Sequence, residues 1–103
     1  MNAVSKDVDK LVTKELNSAN KKFPLFHSYH EASAVLLEEI EELGDAFEQI
    51  TKEYKELWDN IKNNYAIDPD DYKYIKLLGV CAAIEAIQIA AVAQKTIDSR
   101  LWE

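Results

Sequence analysis

Glutamates in two segments of the chain have the spacing needed to hold a divalent cation. Glu38, Glu39 and Glu42 are separated by one to four residues, so on a helix their side chains can converge on one side. Glu85 stands in an apolar run, where an ionised carboxylate is costly unless it is paired or bound to a cation. If Glu85 lies opposite Glu39 and Glu42, the three carboxylates cannot all ionise without a counter-charge. Mg²⁺ or Mn²⁺ would supply it, because hard ions prefer oxygen ligands.

These carboxylates can also be accounted for without a metal ion. Acidic residues are common on solvated helix faces, and for the first three glutamates taken alone a solvated face is as good an account as a metal site. Glu85 could instead be a buried neutral acid, or it could be hydrogen-bonded to Gln88, Tyr29 or His30. The residues by themselves leave these alternatives open.

Three helices are predicted to position these residues. Apolar residues recur at helical spacing over approximately residues 4–20, 29–63 and 69–101. Ser28 and Glu31 form a capping box before the second helix, and Asp68 followed by Pro69 is a typical start for the third. The second helix carries a heptad seam, formed by Leu36, Ile40, Leu43, Phe47, Ile50, Tyr54, Leu57 and Ile61. We expect one long helix there, although Gly44 or the region of Thr51 could bend it.

The connector between the first two helices, Phe23 to Phe26, is predicted to plug one end of the bundle with its large apolar side chains. The third helix is apolar on every side between Leu77 and Ala93, apart from Glu85 and Gln88. Cys81 in this run is predicted to be a small core residue. The run is short for a membrane span and is interrupted by a carboxylate, so no membrane contact is expected.

A helix that is apolar all round must be covered all round, and a chain of three helices covers only about two of its sides. We therefore predict an all-α fold, a helical bundle of about three helices per chain that is completed by oligomerisation. The expected partner is the chain itself, in a dimer or tetramer centred on the third helix.

Composition excludes several classes of partner. The 103 residues suffice for one domain, and the net charge of -7 argues against nucleic acids and anionic membranes, which favour clustered Lys and Arg. Such a surface favours a metal cation. The polar, partly acidic N-terminus is unlike a signal peptide, which predicts a cytoplasmic protein.

Three stretches of the chain resemble the MazG-type all-α nucleoside triphosphate pyrophosphohydrolases, especially the small phage-encoded members. These stretches are His30-Glu31-Ala32 leading into Val35 to Leu43, then Glu56-Leu57-Trp58, and finally Glu85 to Ala93. The resemblance covers roughly residues 26–99 of the single domain 1–103. The N-terminal helix and connector, residues 1–25, lie outside it.

The resemblance implies a Mg²⁺ (or Mn²⁺) site made by a Glu-Glu-x-x-Glu motif on one helix and a Glu-x-x-Asp motif on the next. Glu38, Glu39 and Glu42 match the first motif, and Glu85 matches the first residue of the second. Gln88 stands where the family has Asp, which removes one negative charge and leaves an amide oxygen as the ligand. The stretch between the two motifs is also longer than is usual in the family. The metal ligands implied are thus Glu39, Glu42, Glu85 and Gln88, with Glu38 orienting the attacking water.

The activity implied is cleavage of a nucleoside or deoxynucleoside triphosphate to the monophosphate and pyrophosphate. Two other functions remain open: a protein that binds or sequesters a nucleotide without turnover, because of Gln88, and a purely structural helical oligomer. Four basic residues could contact phosphates, and their spacing selects none of them: Lys73, Lys76, Lys95 and Arg100.

Overall fold

The chain folds as three helices connected by short segments. A computed structural model describes residues 3–23 and 25–103, and within these ranges it contains α1 (Ser5–Lys22), α2 (Tyr29–Lys62) and α3 (Pro69–Asp98), with no strand. The predicted all-α fold class is confirmed. The predicted starts of α2 and α3 are correct, and α2 is continuous through Gly44.

Local hydrogen bonds fix where the second and third helices begin. The Ser28 hydroxyl accepts a hydrogen bond from the Glu31 amide (3.1 Å), and the Glu31 carboxylate accepts one from the His27 amide (3.4 Å). The Asp68 carboxylate accepts from the Asp70 amide (2.9 Å), with Pro69 at the first helical position. Both predicted caps are therefore present.

The third helix ends three residues earlier than the predicted bound at Leu101. The Ser99 hydroxyl donates a hydrogen bond to the Lys95 carbonyl (2.7 Å). Arg100 has a left-handed backbone conformation (φ 53°), and a right-handed helix cannot continue through it. The same Ser99 hydroxyl accepts a hydrogen bond from the Phe26 amide (2.9 Å). This contact ties the segment before α2 to the end of α3, so the two long helices run antiparallel.

Helix α3 is the central element, because it packs against both α2 and α1. The molecule is elongated, with extents of 60 × 28 × 23 Å and a radius of gyration of 17.8 Å, whereas about 13 Å is typical of a compact domain of this length. The buried apolar side chains among the described residues are Phe26, Ala32, Leu57 and Ala91. The core of a single chain is therefore small.

The heptad seam of α2 is only half packed. Every second member, in steps of seven, is buried or half-buried, namely Leu36, Leu43, Ile50 and Leu57. The alternating members are exposed, namely Ile40, Phe47, Tyr54 and Ile61. One helix partner, α3, thus covers one edge of the seam and leaves the other open.

Two predictions about buried residues are wrong. Of the three large apolar side chains of the connector, Phe26 is buried, whereas Phe23 and Leu25 are exposed. One ring rather than three apolar side chains therefore closes this end of the bundle. Cys81 is exposed rather than buried. It lies on a side of α3 that neither α1 nor α2 covers in this part of the helix.

The apolar character of α3 is largely uncovered within one chain. Among the described residues it is the one helix long and apolar enough to span a membrane, with a mean hydropathy of 1.9 over a window of which 6% is buried. Length and composition alone are weak grounds for a membrane span. The predicted cytoplasmic location and the predicted lack of membrane contact stay predictions.

Replacement of Leu57 by alanine tests how much the small core contributes. Leu57 is 5% exposed, so Leu57→Ala should lower the free energy of unfolding by about 2–3 kcal/mol through lost burial and a cavity. Leu77, on α3, is 57% exposed. Leu77→Ala should therefore change the free energy of unfolding by no more than about 0.5 kcal/mol. Urea denaturation followed by circular dichroism measures both, and equal losses in the two variants would contradict the described packing.

Candidate functional site

Three carboxylates from two helices converge where α2 passes α3. Glu39 and Glu42 are one turn apart on α2, Glu85 faces them from α3, and one oxygen of each lies within 4.8 Å of the others. Glu39 and Glu85 are half-buried, and Glu42 is exposed. The structure thus brings together the three residues that the sequence predicted as carboxylate ligands.

Gln88 lies in the same cluster, one turn after Glu85 on α3. With its amide NH₂ turned toward the carboxylates, it donates hydrogen bonds to Glu39 Oε2 (2.8 Å) and Glu85 Oε2 (3.0 Å). Turned by half a rotation, the same amide places its oxygen among the carboxylate oxygens. Gln88 can therefore satisfy the carboxylates when no cation is present, or join them as a fourth oxygen ligand.

The surroundings of the cluster favour protonation of two of its members. Burial, followed by the charges of Glu42, Glu85 and Glu38, raises the pKa of Glu39 above its ordinary value. Burial, a hydrogen bond with Glu42 and the charge of Glu42 raise the pKa of Glu85. Glu39 and Glu85 therefore hold their protons more tightly than isolated glutamates do. A divalent cation would relieve the same repulsion.

The donor set fits a small, hard divalent cation. One oxygen of each of the three carboxylates lies within 4.8 Å of the others, so small side-chain movements could bring all three to one ion. The exposed Glu42 side is open to solvent, which suits an ion that keeps several water ligands. The residues Glu39, Glu42, Glu85 and Gln88 could therefore hold Mg²⁺ or Mn²⁺.

A cavity of about 420 Å³ opens beside the cluster, between all three helices. Glu39 and Gln88 form one end of its wall. Apolar residues line most of the remainder, namely Leu16, Ala19, Phe23, Phe26, Val35, Ala91 and Val92. A larger recess lies along α2 alone and brings no second element to its wall, so the cavity between the helices is the better candidate for a ligand.

Lys95 supplies a positive charge to this cavity. It is 6% exposed, and its Nζ lies 4.8 Å from the centre of the Phe26 ring. In the described part of the chain no carboxylate lies within ion-pair distance of that Nζ. Glu15, Glu31 and Glu39 also line this cavity, but none of them forms an ion pair with Lys95, so its ammonium group is available to an anionic ligand.

Not all of the predicted site residues lie in the carboxylate cluster. Glu38 is exposed and outside the group of three, although its charge contributes to the raised pKa of Glu39. Lys95 was not distinguished from three other basic residues by sequence. It follows Gln88 by seven residues, two helical turns, so its position on the same face of α3 was a usable signal.

The aromatic side chains of the cavity wall were missed. Phe23 and Phe26 belong to the connector and lie outside any helical repeat, so no periodicity could relate them to the glutamates. Their place in the wall depends on how α1 packs against α3.

The raised pKa values predict how stability depends on pH in the absence of divalent cations. Because the folded state favours the neutral acids, it retains protons that the unfolded chain releases above about pH 4.5. Stability should therefore fall as the pH rises from that value through the raised pKa values of Glu39 and Glu85.

Glu85→Gln removes one of these acids and keeps its shape. Its melting temperature in EDTA should be higher than that of the wild type at neutral pH and should depend less on pH, because one repulsive charge is absent. Glu56→Gln, at an exposed position of α2 outside the cluster, is the control and should follow the wild-type curve. A lower melting temperature for Glu85→Gln at neutral pH would contradict the description of the cluster.

Comparison of the chain with models of known families, with curated proteins and with solved structures gives no match. Membership of the MazG-type family therefore stays a prediction from the resemblance of its motifs.

Proposed function

We propose that the protein is a divalent-cation-dependent hydrolase that cleaves nucleoside or deoxynucleoside triphosphates to the monophosphate and pyrophosphate. One observation carries the proposal. Carboxylates from α2 and α3 converge beside a cavity whose wall includes Glu39 and the buried Lys95. A cation site and a cationic side chain that share one cavity suit a polyphosphate.

Glu39, Glu42 and Glu85 would hold the cation, with Gln88 turning its amide oxygen toward it. When bound, Mg²⁺ or Mn²⁺ neutralises phosphate charge and makes a coordinated water more nucleophilic. The chain's own contribution is to keep three acids within reach of one ion and to leave the Glu42 side open to water. Their repulsion in the absence of a cation favours its binding.

The cavity suits the remainder of a nucleotide. Its volume of about 420 Å³ lies in the range usual for small-molecule sites, roughly 300–1,000 Å³. The Lys95 ammonium can bind a phosphate oxygen, and the exposed ring of Phe23 in the cavity wall offers a face on which a base can stack. Phosphates would thus lie toward the carboxylates and the base toward α1.

The reaction needs one water and no other co-reactant. The water oxygen forms a bond to the α-phosphorus, the bond from that phosphorus to the bridging oxygen breaks, and pyrophosphate leaves with the bond electrons. The water proton passes to a carboxylate, for which we propose Glu38, because it is exposed next to Glu39 and is free of the group that would bind the ion.

A second function has one observation in its favour. Gln88 bridges Glu39 and Glu85 by hydrogen bonds, which stabilises the cluster without any cation. In this case the cavity would bind a nucleotide or related phosphate compound and release it intact. A purely structural role for the helices is the remaining alternative.

Release of pyrophosphate from a panel of nucleoside and deoxynucleoside triphosphates, with Mg²⁺ or Mn²⁺, tests the proposal. Glu39→Gln and Glu85→Gln should each lower turnover by about 100-fold or more, because each removes a ligand charge from the cation. Circular dichroism checks that both variants retain their helices. Glu56→Gln is the matched control, and it should keep wild-type turnover.

The possible outcomes of this assay distinguish the three functions. Full turnover in Glu39→Gln or Glu85→Gln would disprove the assigned cation site. Tight binding of a nucleotide that is recovered intact would establish the binding protein instead. No turnover, together with no thermal stabilisation by divalent ions or nucleotides, would leave the structural role.

Lys95→Met tests the phosphate contact separately from the cation. Methionine keeps the apolar stem against Phe26 but removes the ammonium group, so we expect the KM to rise by roughly 10- to 100-fold, as for loss of one hydrogen bond to a charged group. Lys73→Met, also on α3 but with a side chain 78% exposed, is the control. Equal KM values for the two variants would show that Lys95 does not contact the substrate.

A further inference from the structure

One side of the α2 and α3 pair carries a second row of apolar residues that no described part of the chain covers. This row, which we name the open seam, repeats at alternating spacings of three and four residues from Leu37 to Ile61 of α2. Its members are Leu37, Ile40, Gly44, Phe47, Thr51, Tyr54, Trp58 and Ile61. Its six large apolar side chains are between 38% and 67% exposed, so α2 has a heptad pattern for a helix partner that α3 does not supply.

Small residues of α3 continue the same side of the pair. Gly79, Ala83, Ala86 and Ala90 are all exposed and recur in steps of four and three. These residues and the open seam each lie about 100° round their helices from the positions that pack between α2 and α3. Because the two helices are antiparallel, the open seam and the small residues of α3 lie on the same side of the pair. The carboxylate cluster and its cavity lie on the opposite side.

The two glycines of the chain are the clearest sign that something approaches this surface. Gly44 and Gly79 are the only glycines in the sequence. Both lie inside helices with ordinary backbone, where glycine is unfavourable relative to alanine, and a Cβ built on either would meet nothing within 4 Å. Neither the backbone nor any described neighbour within the chain requires a glycine at these positions.

The exposed area shows how much surface is uncovered. The chain exposes 7955 Å², whereas a compact monomer of 11.8 kDa exposes about 5,900 Å². The excess is roughly 2,000 Å² per chain, which is more than the ~800 Å² that each partner contributes to a standard protein–protein interface.

We propose that a second copy of the chain packs on this side, with α2 of one copy antiparallel to α2 of the other about a two-fold axis near residue 49. This arrangement uses every member of the open seam. It sets Gly44 against Tyr54 of the second copy and Phe47 against Thr51 of the second copy, so small residues oppose large rings. The outer layers pair Ile40 with Trp58 and Leu37 with Ile61.

Charges beside the open seam agree with the antiparallel direction. The residues that flank it in steps of seven are Glu41, Glu48, Lys55 and Lys62. About an axis near residue 49, Glu41 of each copy lies near Lys55 of the other and only Glu48 lies near its own counterpart, whereas a parallel pair would oppose like charges along the whole line. This local complementarity offsets part of the repulsion between two chains of net charge -7.

The same axis explains Gly79. Glu42 and Glu85 lie together, so Gly79, six residues before Glu85, is alongside the residue about six after Glu42. That position is the middle of the open seam. The α3 helices of the two copies therefore cross near their glycines, and the predicted association through α3 is extended to an interface formed by both helices.

The interface does not depend on the proposed activity, and sedimentation velocity with the full chain tests it. The wild type should sediment at twice the 11.8 kDa chain mass at micromolar concentration. Phe47→Lys should sediment as a monomer. Phe23→Lys is a matched control, because both phenylalanines are 67% exposed in the single chain and Phe23 lies away from the interface; it should remain a dimer.

A lipid surface is the competing occupant, and Gly44→Leu distinguishes it. Leucine makes the surface more apolar but blocks the close approach of Tyr54 from the second copy, so the dimer dissociation constant should rise at least 10-fold. If phosphatidylcholine vesicles bind a monomeric wild type, and Gly44→Leu binds them more tightly, the second copy is excluded.

A cross-linking experiment covers the case in which Phe47→Lys fails to fold. With Cys81→Ala in the background, Phe47→Cys combined with Thr51→Cys should form a covalent dimer on mild oxidation, and Phe23→Cys should not. A wild type that is monomeric at about 100 μM, or a Phe47→Lys dimer, would overturn the proposal, as would absence of the specific cross-link.

Discussion

The antiparallel packing of α2 against α3 is the interaction on which the other features depend. It places Glu85 beside Glu39 and Glu42, although 43 residues separate Glu42 from Glu85 in sequence. It is held by a narrow row of apolar residues and by the hydrogen bond from the Phe26 amide to Ser99. Because α3 is the central helix, any change in its rotation would alter the cluster and the cavity together.

The packing of α2 against α3 brings carboxylates together, and their repulsion lowers the stability of the fold. Three acids within 4.8 Å of one another repel when ionised, and burial adds to the cost for Glu39 and Glu85. Protonation, the Gln88 amide and a divalent cation are three ways to lower it. Stability alone would favour apolar residues at these positions, and the proposed cation and its ligand would account for the acids.

The two sides of the helix pair are specialised for different contacts. One side carries acids, an aromatic-lined cavity and Lys95, and the other carries an apolar seam and a row of small residues. If a second copy covers the apolar side, its contacts hold α2 and α3 in position on the side opposite the carboxylate cluster. Their rotation, and with it the distance between the carboxylates, would then be held by the dimer more firmly than by the small core of one chain.

The amino-acid sequence was sufficient to predict the helices and their ends. Period and capping are local, so Ser28, Asp68 and Pro69 could be interpreted without any knowledge of the fold. Sequence also indicated that Glu85 needed a partner, since a carboxylate in an apolar run is costly wherever the run packs. The three carboxylates that meet were predicted on that basis and from the motifs.

Tertiary structure alone decided which sides of the helices are covered. A heptad pattern predicts that a row of residues packs against another helix, but it does not show which helix. It therefore could not predict that only half of the α2 seam is packed, or that Cys81 and Phe23 are exposed. The selection of Lys95 from four basic residues, and its place beside Phe26, likewise depend on the packing of α1 and the connector against α3. Local preferences fix the elements, whereas burial depends on contacts between residues far apart in sequence, and only the assembled helices determine those contacts.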